Sequence, residues 1–407
     1  MKILVVNSGS SSIKYRLYDM AEESLLAKGL VERIGIEGSL INHYPSGKDF
    51  LKKEIDIPDH RKGIELVIEA LLDSRYGVIK SISEISAVGH RVVHGGEKYS
   101  GSVLLNEDVM NTLNEFIELA PLHNPPNILG IKVCQDLLPN IPQVGVFDTA
   151  FHQSIPEQAF LYGIPYGFYE KYRIRRYGFH GTSHKYVAQK AAEMLGKDLK
   201  ELKIITCHLG NGSSITAVKE GKSIDTSLGF GTISGVIMGT RCGDIDPAII
   251  PYLMEKENLS FKEINNILYK KSGFMGLSEG ISSDMRDLEE EAIKGNKRAK
   301  RTLDVLYYGL KKYIGAYTAA MNGLDVLVFT AGIGENSPKL RRAVCEDLNF
   351  FGIRIDDKIN YDQNGKKAII STEDSKVTVL VIPTDEEFMI AHDTAEICNN
   401  FRPKAGH

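Results

Sequence analysis

Two stretches of the chain carry nearly the same pattern of apolar and polar positions. The first is an apolar run from Ile3 to Val6, a Gly/Ser/Asn turn, and an alternating segment that reaches Asp19. The second repeats this order between Ile204 and Val218. Each pattern predicts a β-hairpin, and its small turn residues leave N–H groups and hydroxyls free to close on an anion. Two such hairpins, each opening one half of the chain, predict a duplicated nucleotide-binding fold.

The rest of the first half alternates strand and helix signals. Short apolar runs predict buried strands, and apolar positions spaced by three or four residues predict helices. The last of these strands delivers Asp148 at its carboxyl end, where ligand sites of open α/β sheets lie. The predicted elements are a helix over 62–73, a strand over 85–94, a helix over 107–119, a helix that follows the Pro-rich loop 121–126 and ends near 138, and a strand over 144–147.

The second half repeats this order. We predict helices within 247–269, a charge-dense helical face over 289–301, a long helix over 302–321, and buried strands over 324–329 and 377–382. A last helix after Glu386 returns to the first domain, and the tail 401–407 carries no pattern. The chain is therefore expected to be an α/β protein of two similar domains, with boundaries at 1–150 plus 386–407 and at 151–385.

The length, composition and net charge of the chain restrict the kinds of function that it can have. A chain of 407 residues, 43% apolar and 25% charged, is expected to form two globular domains. A net charge of −4 argues against nucleic acid or an anionic membrane as partner. The N-terminal apolar run is too short for a signal peptide, and no stretch reaches the length of a membrane span. We expect a cytoplasmic protein whose cysteines are reduced and buried: Cys134, Cys207, Cys242, Cys345 and Cys398.

Several polar segments are candidates for phosphate chemistry, although the P-loop pattern is missing from the sequence. The turn Gly332–Asn336 follows a predicted buried strand and opens a helix, a place suited to a phosphate or a nucleotide edge. Arg91 lies in a short apolar strand that closes on two glycines, and Arg241 lies in a Gly-rich loop. Each arginine is either half of a structural salt bridge or a forked donor for carboxylate or phosphoryl oxygens.

Histidines and carboxylates complete this set. His180 and His184 are four residues apart on a predicted helix, but no third metal ligand is nearby, so zinc is disfavoured. We expect His180 to donate a hydrogen bond to phosphate and His184 to lie in the core or behind His180. Asp148 and Glu386 occupy corresponding strand-end positions in the two halves, and Mg²⁺ prefers such carboxylates in ATP-dependent phosphoryl transfer.

Three long motifs together resemble the acetokinase (acetate kinase) family of the acetate and sugar kinase/Hsp70/actin superfamily. They are Asn7–Lys14, Gly178–His184 and Met238–Pro247. The resemblance covers essentially the whole chain. It implies a duplicated actin-like (ribonuclease H-like) fold with a cleft between the domains, and a homodimer. It also implies reversible transfer of a phosphoryl group from ATP to acetate with Mg²⁺, for which Mn²⁺ can substitute.

The resemblance also implies roles for individual residues. Arg91 would hold the acetate carboxylate, Asp148 would be the essential acid near the metal, and His180 with Arg241 would stabilise the transferring phosphoryl group. Asn7 and Glu386 would lie near the metal, with Asn7, Ser10, Ser12 and Lys14 around the phosphates. The acetate methyl would contact Val93, Leu122 and Phe179. The nucleotide would contact His208, Leu209, Gly210, Asn211, Gly212, Asp284, Met285, Arg286, Gly332, Ile333, Gly334, Glu335 and Asn336.

One position departs from the family pattern. Thr232 stands where the family usually has a proline that closes the methyl pocket. A methylene in such a pocket is worth only about 1–3 kcal/mol of discrimination. This position therefore leaves a propionate or short-chain carboxylate kinase as an alternative. Two alternatives of other classes are an actin- or Hsp70-like ATP-driven switch, which would leave Arg91, His180 and Arg241 without a small acid to bind, and a phosphatase acting on acyl phosphate or polyphosphate. Acetate is already ionised at neutral pH, so Asp148 is expected to serve the metal or orient the acid rather than remove a proton.

Overall fold

The fold was analysed in a computed structural model that describes residues 1–363 and 365–401. The strands are β1 (Lys2–Ser8), β2 (Ser12–Asp19), β3 (Ser24–Glu32), β4 (Leu40–Pro45), β5 (Leu51–Glu54), β6 (Ile85–Val92), β7 (Val103–Leu104), β8 (Gln143–Phe147), β9 (Lys203–Leu209), β10 (Ser213–Lys219), β11 (Lys222–Thr226), β12 (Val326–Thr330), β13 (Ala368–Ile369) and β14 (Thr378–Val381).

The α-helices separate these strands along the chain. They are α1 (His60–Leu72), α2 (Glu107–Glu115), α3 (Asn124–Leu137), α4 (Glu157–Phe160), α5 (Gly167–Tyr172), α6 (Gly181–Leu195), α7 (Ile249–Lys256), α8 (Phe261–Lys270), α9 (Gly273–Leu277), α10 (Met285–Ile293), α11 (Lys297–Met321), α12 (Ala331–Asn336), α13 (Pro338–Cys345), α14 (Asp357–Asp362) and α15 (Glu386–Phe401). No helix in the described part of the chain is long and apolar enough to cross a membrane.

The chain divides into two compact units. Unit 1 comprises Met1–Gln153 and the segment that starts at Asp385, and unit 2 comprises Ser154–Thr384. Helix α15 packs on β1, β6 and β8, so the last helix belongs to unit 1. The expectation for the tail concerns residues 402–407, which lie outside the described residues.

The sheets of the two units share one strand pattern. In unit 1 the order is β5-β4-β3-β2-β1-β6-β8-β7, and in unit 2 it is β11-β10-β9-β12-β14-β13. In each sheet an antiparallel meander is followed by two parallel partners: β1 pairs with β6 and β6 with β8, as β9 pairs with β12 and β12 with β14. The predicted α/β fold with two similar halves is confirmed.

The central strand β1 is covered on both faces. Leu4 and Val6 pack in one apolar cluster with side chains of α1 and α3. Ile3 and Val5 point to the opposite face and pack against Ile390 and other residues of α15. Because successive side chains of a strand alternate between faces, a strand buried on both sides reads as a continuous apolar run.

The core of unit 2 is organised around β9 in the same way. Ile205, Cys207 and Leu209 pack in a cluster with Leu306 and Leu310 of α11. Helix α6 packs against β9 and β12 with small buried side chains, Val187, Ala188 and Ala191. The apolar side chains of α11 and α6 thereby cover both faces of the central strand of unit 2.

Three local predictions need correction. Residues 289–301 do not form one helical face: α10 ends at Ile293, and α11 begins at Lys297 after Gly295, whose φ of 87° ends the helix. Pro125 and Pro126 lie in the first turn of α3 rather than in the preceding loop, because the first turn has no need of their missing N–H groups. Cys242 is half-buried, whereas the other four thiols are buried as expected.

A buried histidine in β6 predicts sensitivity of unit 1 to acid. Burial lowers the pKa of His90 to about 4, although its hydrogen bond to Gln143 opposes the shift. The unfolded chain binds a proton near the ordinary histidine pKa of about 6.5, so stability is lost as pH falls below that value. His90 alone is expected to remove about 2 kcal/mol of unfolding free energy between about pH 7 and about pH 5.

The substitution His90→Gln should reduce this loss. Urea unfolding at both pH values, followed by circular dichroism, compares the variant with wild type. The control is His392→Gln, which removes an exposed histidine of α15. Equal losses of unfolding free energy in wild type and His90→Gln would show that His90 is not a source of the acid sensitivity.

Candidate active site

An arginine and an aspartate meet at the carboxyl ends of two parallel strands in unit 1. Arg91 is near the end of β6, and Asp148 directly follows β8. Arg91 donates from Nε and Nη2 to the two Asp148 carboxylate oxygens, at 3.0 and 2.6 Å. Asp148 is 1% exposed. This bidentate, charge-assisted pair fixes the plane of the Arg91 guanidinium.

Glu386 joins this pair from the first position of α15. Its carboxylate lies 4.0 Å from Arg91 Nε. Burial is the main cause that raises the pKa of Glu386 to about 7; Arg91 opposes the rise, and Asp148 and Glu387 add to it. In turn, Asp148 raises the pKa of Arg91 above its usual range. One guanidinium therefore faces an excess of acidic groups, an arrangement that favours an additional cation.

One nitrogen of the Arg91 guanidinium, Nη1, takes no part in the ion pair with Asp148. Among the described residues, Arg91 Nη1 has no acceptor, because the ion pair to Asp148 uses Nε and Nη2. The pair thus orients the guanidinium and leaves Nη1 available for a small anion.

The first hairpin contributes small polar groups to unit 1. Gly9 donates from its N–H to the Ser12 carbonyl at 2.8 Å, which closes the turn between β1 and β2. Asn7 pairs with Lys14 across the two strands. Lys14 is close enough to Glu386 to oppose the rise of its pKa. Ser10 is exposed and Ser12 half-buried, so this turn presents hydroxyls beside the acidic cluster.

In unit 2, His180 and Arg241 converge on Gly212. A Cβ placed on Gly212 would lie 3.6 Å from both Arg241 Nη1 and His180 Nε2. His180 precedes α6 in a left-handed conformation with φ of 58°. Glycine at 212 therefore keeps open a small space that two donors border, which suits an anion.

Arg241 is held without a carboxylate. Its Nη1 donates to the Thr232 carbonyl at 2.9 Å, and among the described residues no acidic side chain pairs with it. Burial lowers its pKa, although Tyr269 opposes the shift. A half-buried cation with no counter-charge is a ready partner for an anionic ligand.

The loop that carries Arg241 is tied at its base by Asp244. Gly235 donates from its N–H to Asp244 Oδ1 at 2.8 Å, and Asp244 returns an N–H bond to the Gly235 carbonyl at 2.8 Å. Tyr313 of α11 also donates to Asp244. Gly235 and Gly243 both have positive φ, which glycine adopts without strain. These contacts position Arg241 before any ligand binds.

Three histidines and two serine hydroxyls form a layer around this space. His180 Nδ1 and His184 Nε2 both lie within hydrogen-bond distance of Ser214 Oγ, at 2.9 and 2.7 Å. The His208 ring stacks on His180 with centroids 4.2 Å apart. His208 Nδ1 bonds Ser183 Oγ at 2.8 Å. His184 is fully buried, so it lies behind His180 rather than at the surface.

A cavity of about 600 Å³ in unit 2 collects most of the residues expected to bind nucleotide. Asp284 caps α10 by accepting from the Arg286 N–H and also pairs with the Arg286 guanidinium at 2.6 Å. The lining comprises Gly210, Asn211, Ser283, Asp284, Met285, Arg286, Glu289, Gly332, Ile333, Asn336 and Ser337. Eight of the thirteen expected nucleotide contacts are among these.

The other five expected nucleotide residues do not line this cavity. Leu209 is 1% exposed in the core cluster of unit 2, because it points to the inner face of β9, so its side chain offers no ligand contact. Glu335 accepts from the Thr384 N–H at 3.0 Å, and burial raises its pKa. His208 and Gly212 lie beside His180, and the Gly334 carbonyl accepts from Arg341.

Four contributors to this cavity or its support went unrecognised in the sequence. Ser283, Glu289 and Ser337 line the cavity, and Ser337 donates to Glu289. Arg341 is fully buried and donates from Nη1 to the carbonyls of Gly334 and Glu335, at 2.7 and 2.9 Å. Burial lowers the pKa of Arg341 to about 10. Arg341 thus supports the end of α12, whereas Ser283 could have been suspected from its place next to Asp284.

The residues expected to contact the acid's methyl group have different surroundings. In unit 1, Val93 is half-buried and Leu122 is 74% exposed. In unit 2, Phe179 is 3% exposed, next to His180 in the chain, and Thr232 is half-buried. Thr232 also contacts Arg241 through its carbonyl.

Comparison with known proteins places the chain in a family. A model of the acetokinase family matches residues 2–392. The chain is 60% identical over 400 residues to an acetate kinase of Carboxydothermus hydrogenoformans, which covers 98% of this chain and 100% of that protein. An acetate kinase of Clostridium acetobutylicum is 57% identical over 403 residues, 99% of this chain and 100% of that protein.

Solved structures agree with the sequence matches. The crystal structure of Porphyromonas gingivalis acetate kinase superposes with a TM-score of 0.94 at 50% identity, covering 97% of this chain and 99% of that one. A propionate kinase from Francisella tularensis superposes with a TM-score of 0.90 at 40% identity, with the same coverage of both chains. The long motifs noted above and these full-length matches lead to one conclusion: the chain belongs to the acetokinase family.

Proposed function

We propose that this chain transfers the γ-phosphoryl group of ATP reversibly to the carboxylate of acetate, giving ADP and acetyl phosphate. The observation that carries the proposal is the convergence of His180 Nε2 and Arg241 Nη1 on the space above Gly212, where no acidic side chain in the described part of the chain pairs with Arg241. The family match and the names of its relatives support the choice of reaction. The compartment proposed is the cytoplasm, where ATP is present and the five free thiols stay reduced.

The acid binds in unit 1 through the free edge of Arg91. Acetate is ionised at neutral pH, so the attacking oxygen needs no general base. Both Asp148 oxygens accept from Arg91, and this pairing holds the guanidinium in place rather than removing a proton. Arg91 Nη1 then meets the acid's carboxylate, and Val93 and Leu122 of the same unit lie towards its methyl group.

The nucleotide binds in the cavity of unit 2. Asn211 and three residues of α12, Gly332, Ile333 and Asn336, line it, and Asp284 with Arg286 forms another wall. Phosphoryl transfer spreads charge over the equatorial oxygens of the group in flight, so fixed donors around them lower the barrier. His180 and Arg241 supply such donors without reorganisation.

Unit 1 offers a donor set that fits Mg²⁺. Asp148 and Glu386 are carboxylates beside the single Arg91 guanidinium, and Asn7 adds an amide oxygen. Oxygen ligands of this kind are those that Mg²⁺ prefers. Asn7, Asp148 and Glu386 would hold the ion, which when bound would neutralise phosphate charge.

A hydroxamate assay tests the proposed function. Purified protein is incubated with Mg²⁺-ATP and acetate, propionate or butyrate, and any acyl phosphate is trapped with hydroxylamine. Hydroxamate that depends on the added acid is the expected result. ADP release that is indifferent to the acid, with no hydroxamate, would instead indicate a nucleotide switch or a phosphatase and would exclude the transfer reaction.

Loss of Arg241 should mainly lower kcat. Arg241→Ala removes a donor fixed beside Gly212, and loss of one such donor typically costs on the order of 10²-fold in kcat. Hydroxamate formation at saturating ATP and acetate measures the effect. Arg298→Ala, which removes an exposed arginine paired with Glu279, is the matched control. A folded Arg241→Ala protein with near-normal kcat would remove Arg241 from the transition-state donors.

A second candidate is a propionate or short-chain carboxylate kinase. Thr232 differs from the usual family proline, and a structurally similar relative is a propionate kinase. Thr232→Pro should shift the preference towards acetate, with the acetate-to-propionate ratio of kcat/KM rising on the order of 10-fold. The substitution keeps the carbonyl that accepts from Arg241.

Acid-series kinetics check this prediction. Thr232→Val is the matched control, because it removes the hydroxyl but keeps both the bulk of the side chain and the N–H. If the ratios for acetate, propionate and butyrate stay the same in Thr232→Pro, the position does not select the acid.

We also propose that the protein is a homodimer, as the family resemblance implies. In unit 2 an exposed aromatic segment, defined as residues 164–172, includes Ile164, Tyr166, Phe168 and Tyr172 at 45–51% exposure. Exposed apolar patches of this kind mark interaction surfaces, and a second copy is the occupant proposed. Sedimentation velocity should give twice the 45.1 kDa chain mass, and Phe168→Asp should lower it. A wild-type monomer at micromolar concentration would contradict the proposal.

A further inference from the structure

Four side chains of unit 2 form one unbroken series of hydrogen bonds that ends at His180. Ser214 Oγ lies 2.9 Å from His180 Nδ1 and 2.7 Å from His184 Nε2. His184 Nδ1 in turn lies 2.6 Å from Thr206 Oγ1. Ser214, His184 and Thr206 are each fully buried. Neighbouring strands β9 and β10 and helix α6 supply the members of the series, so its geometry is fixed by the fold.

The number of hydrogens on Ser214 restricts which atom of each hydrogen bond can be the donor. Ser214 has one O–H, and among the described residues its only acceptors are the two imidazole nitrogens. Ser214 therefore donates to one histidine and accepts from the other. Two arrangements of donors remain. In one, each residue donates to the next from Thr206 to His180, and in the other each residue donates to the next from His180 to Thr206.

The Thr206 hydroxyl selects between these arrangements. If His184 donated to Thr206, the buried Thr206 O–H would have no acceptor among the described residues, and burying an unpaired donor is unfavourable. If Thr206 donates to His184 Nδ1, then His184 Nε2–H donates to Ser214, and Ser214 donates to His180 Nδ1. The hydrogens of Thr206, His184 and Ser214 are then all paired, and the proton of neutral His180 is on Nε2.

We propose that Ser214, backed by His184 and Thr206, is a positioning residue that holds His180 as the neutral tautomer with its proton on Nε2. Nε2 is the atom that borders the space above Gly212 with Arg241 Nη1. The tautomer therefore makes His180 a donor towards an anion at that place. The identification of this anion as the transferring phosphoryl group rests on the proposed function, whereas the assignment of the tautomer does not.

The side chains described around His180 favour the neutral form of its ring. His208 stacks on it from β9, His184 reaches it through Ser214, and Arg241 borders the same space from its loop. A second cation beside Arg241 would be repelled, whereas a neutral imidazole still donates from Nε2.

Nuclear magnetic resonance of the wild-type protein tests the tautomer directly. Histidine labelled with ¹⁵N is incorporated, and the His180 signals are assigned by their loss in His180→Gln. A protonated Nε2 and an unprotonated Nδ1 at neutral pH are expected. Protonation on Nδ1 alone, or on both nitrogens, would overturn the proposal. This measurement needs neither turnover nor a Ser214 variant, so it decides the matter even where Ser214→Ala does not fold.

Kinetics of Ser214→Ala test the consequence for turnover. Without the Ser214 proton, neutral His180 is free to move its own proton to Nδ1, so kcat at neutral and alkaline pH should fall about 10-fold or more. At acidic pH the imidazolium carries protons on both nitrogens, so the deficit should shrink. KM values for ATP and acetate should change little.

Matched variants separate this role from a structural one. Thr216→Val removes a buried hydroxyl two residues along β10 that bonds Thr226, and it should leave kcat and its pH profile unchanged. Ser214→Thr keeps a hydroxyl and should restore most of the activity at alkaline pH. A wild-type kcat in Ser214→Ala, or an equal deficit at every pH, would overturn the positioning role. If wild type forms no hydroxamate, the proposed function fails and the NMR result stands alone.

Discussion

The structure depends on parallel strands that are buried on both faces. In unit 1 alternate residues of β1 pack against α1 and α3 on one side and against α15 on the other. A sheet covered in this way has no face left for polar chemistry, so charged groups gather where the strands end. Arg91 and Asp148 meet because β6 and β8 are neighbours. His208 and Thr330 end neighbouring strands β9 and β12 in the same manner.

The charged side chains at the two sites are unbalanced in opposite senses, with an excess of carboxylates in unit 1 and an arginine without a carboxylate partner among the described residues in unit 2. In unit 1 two carboxylates share one guanidinium, and burial, with a smaller contribution from Asp148 and Glu387, raises the pKa of Glu386. In unit 2 Arg241 is half-buried, and its described contacts include no acidic partner. Each imbalance costs free energy in the ligand-free protein, because a buried charge is stable only when paired. A cation and a multiply charged anion are the ligands that would relieve these two imbalances.

Much of the fold followed from local sequence patterns, because apolar alternation and small turn residues act over a few neighbours. The two hairpins, the strand that delivers Asp148 and the turn after β12 are of this kind. The ion pair between Arg91 and Asp148 could not be predicted from residue spacing, because 57 positions separate the two residues. The family resemblance implied a role for each residue but not their pairing. Arg341 was missed for the same reason: it supports α12 from α13 only once both helices have packed. The inward direction of the Leu209 side chain was likewise not predicted, because its neighbour Gly210 lines the cavity while Leu209 alternates to the core.

The different supports of the two arginines suit them to different anions. Arg91 is neutralised by Asp148 and keeps one donor edge, so it can orient a singly charged carboxylate without attracting a bulkier anion strongly. Arg241 is held by the uncharged carbonyl of Thr232, which fixes its direction and leaves its charge available to the proposed phosphoryl ligand. A carboxylate in place of that carbonyl would orient Arg241 equally well but would cancel the charge that the reaction uses. The choice of a backbone acceptor at Thr232 therefore separates the positioning of Arg241 from its neutralisation.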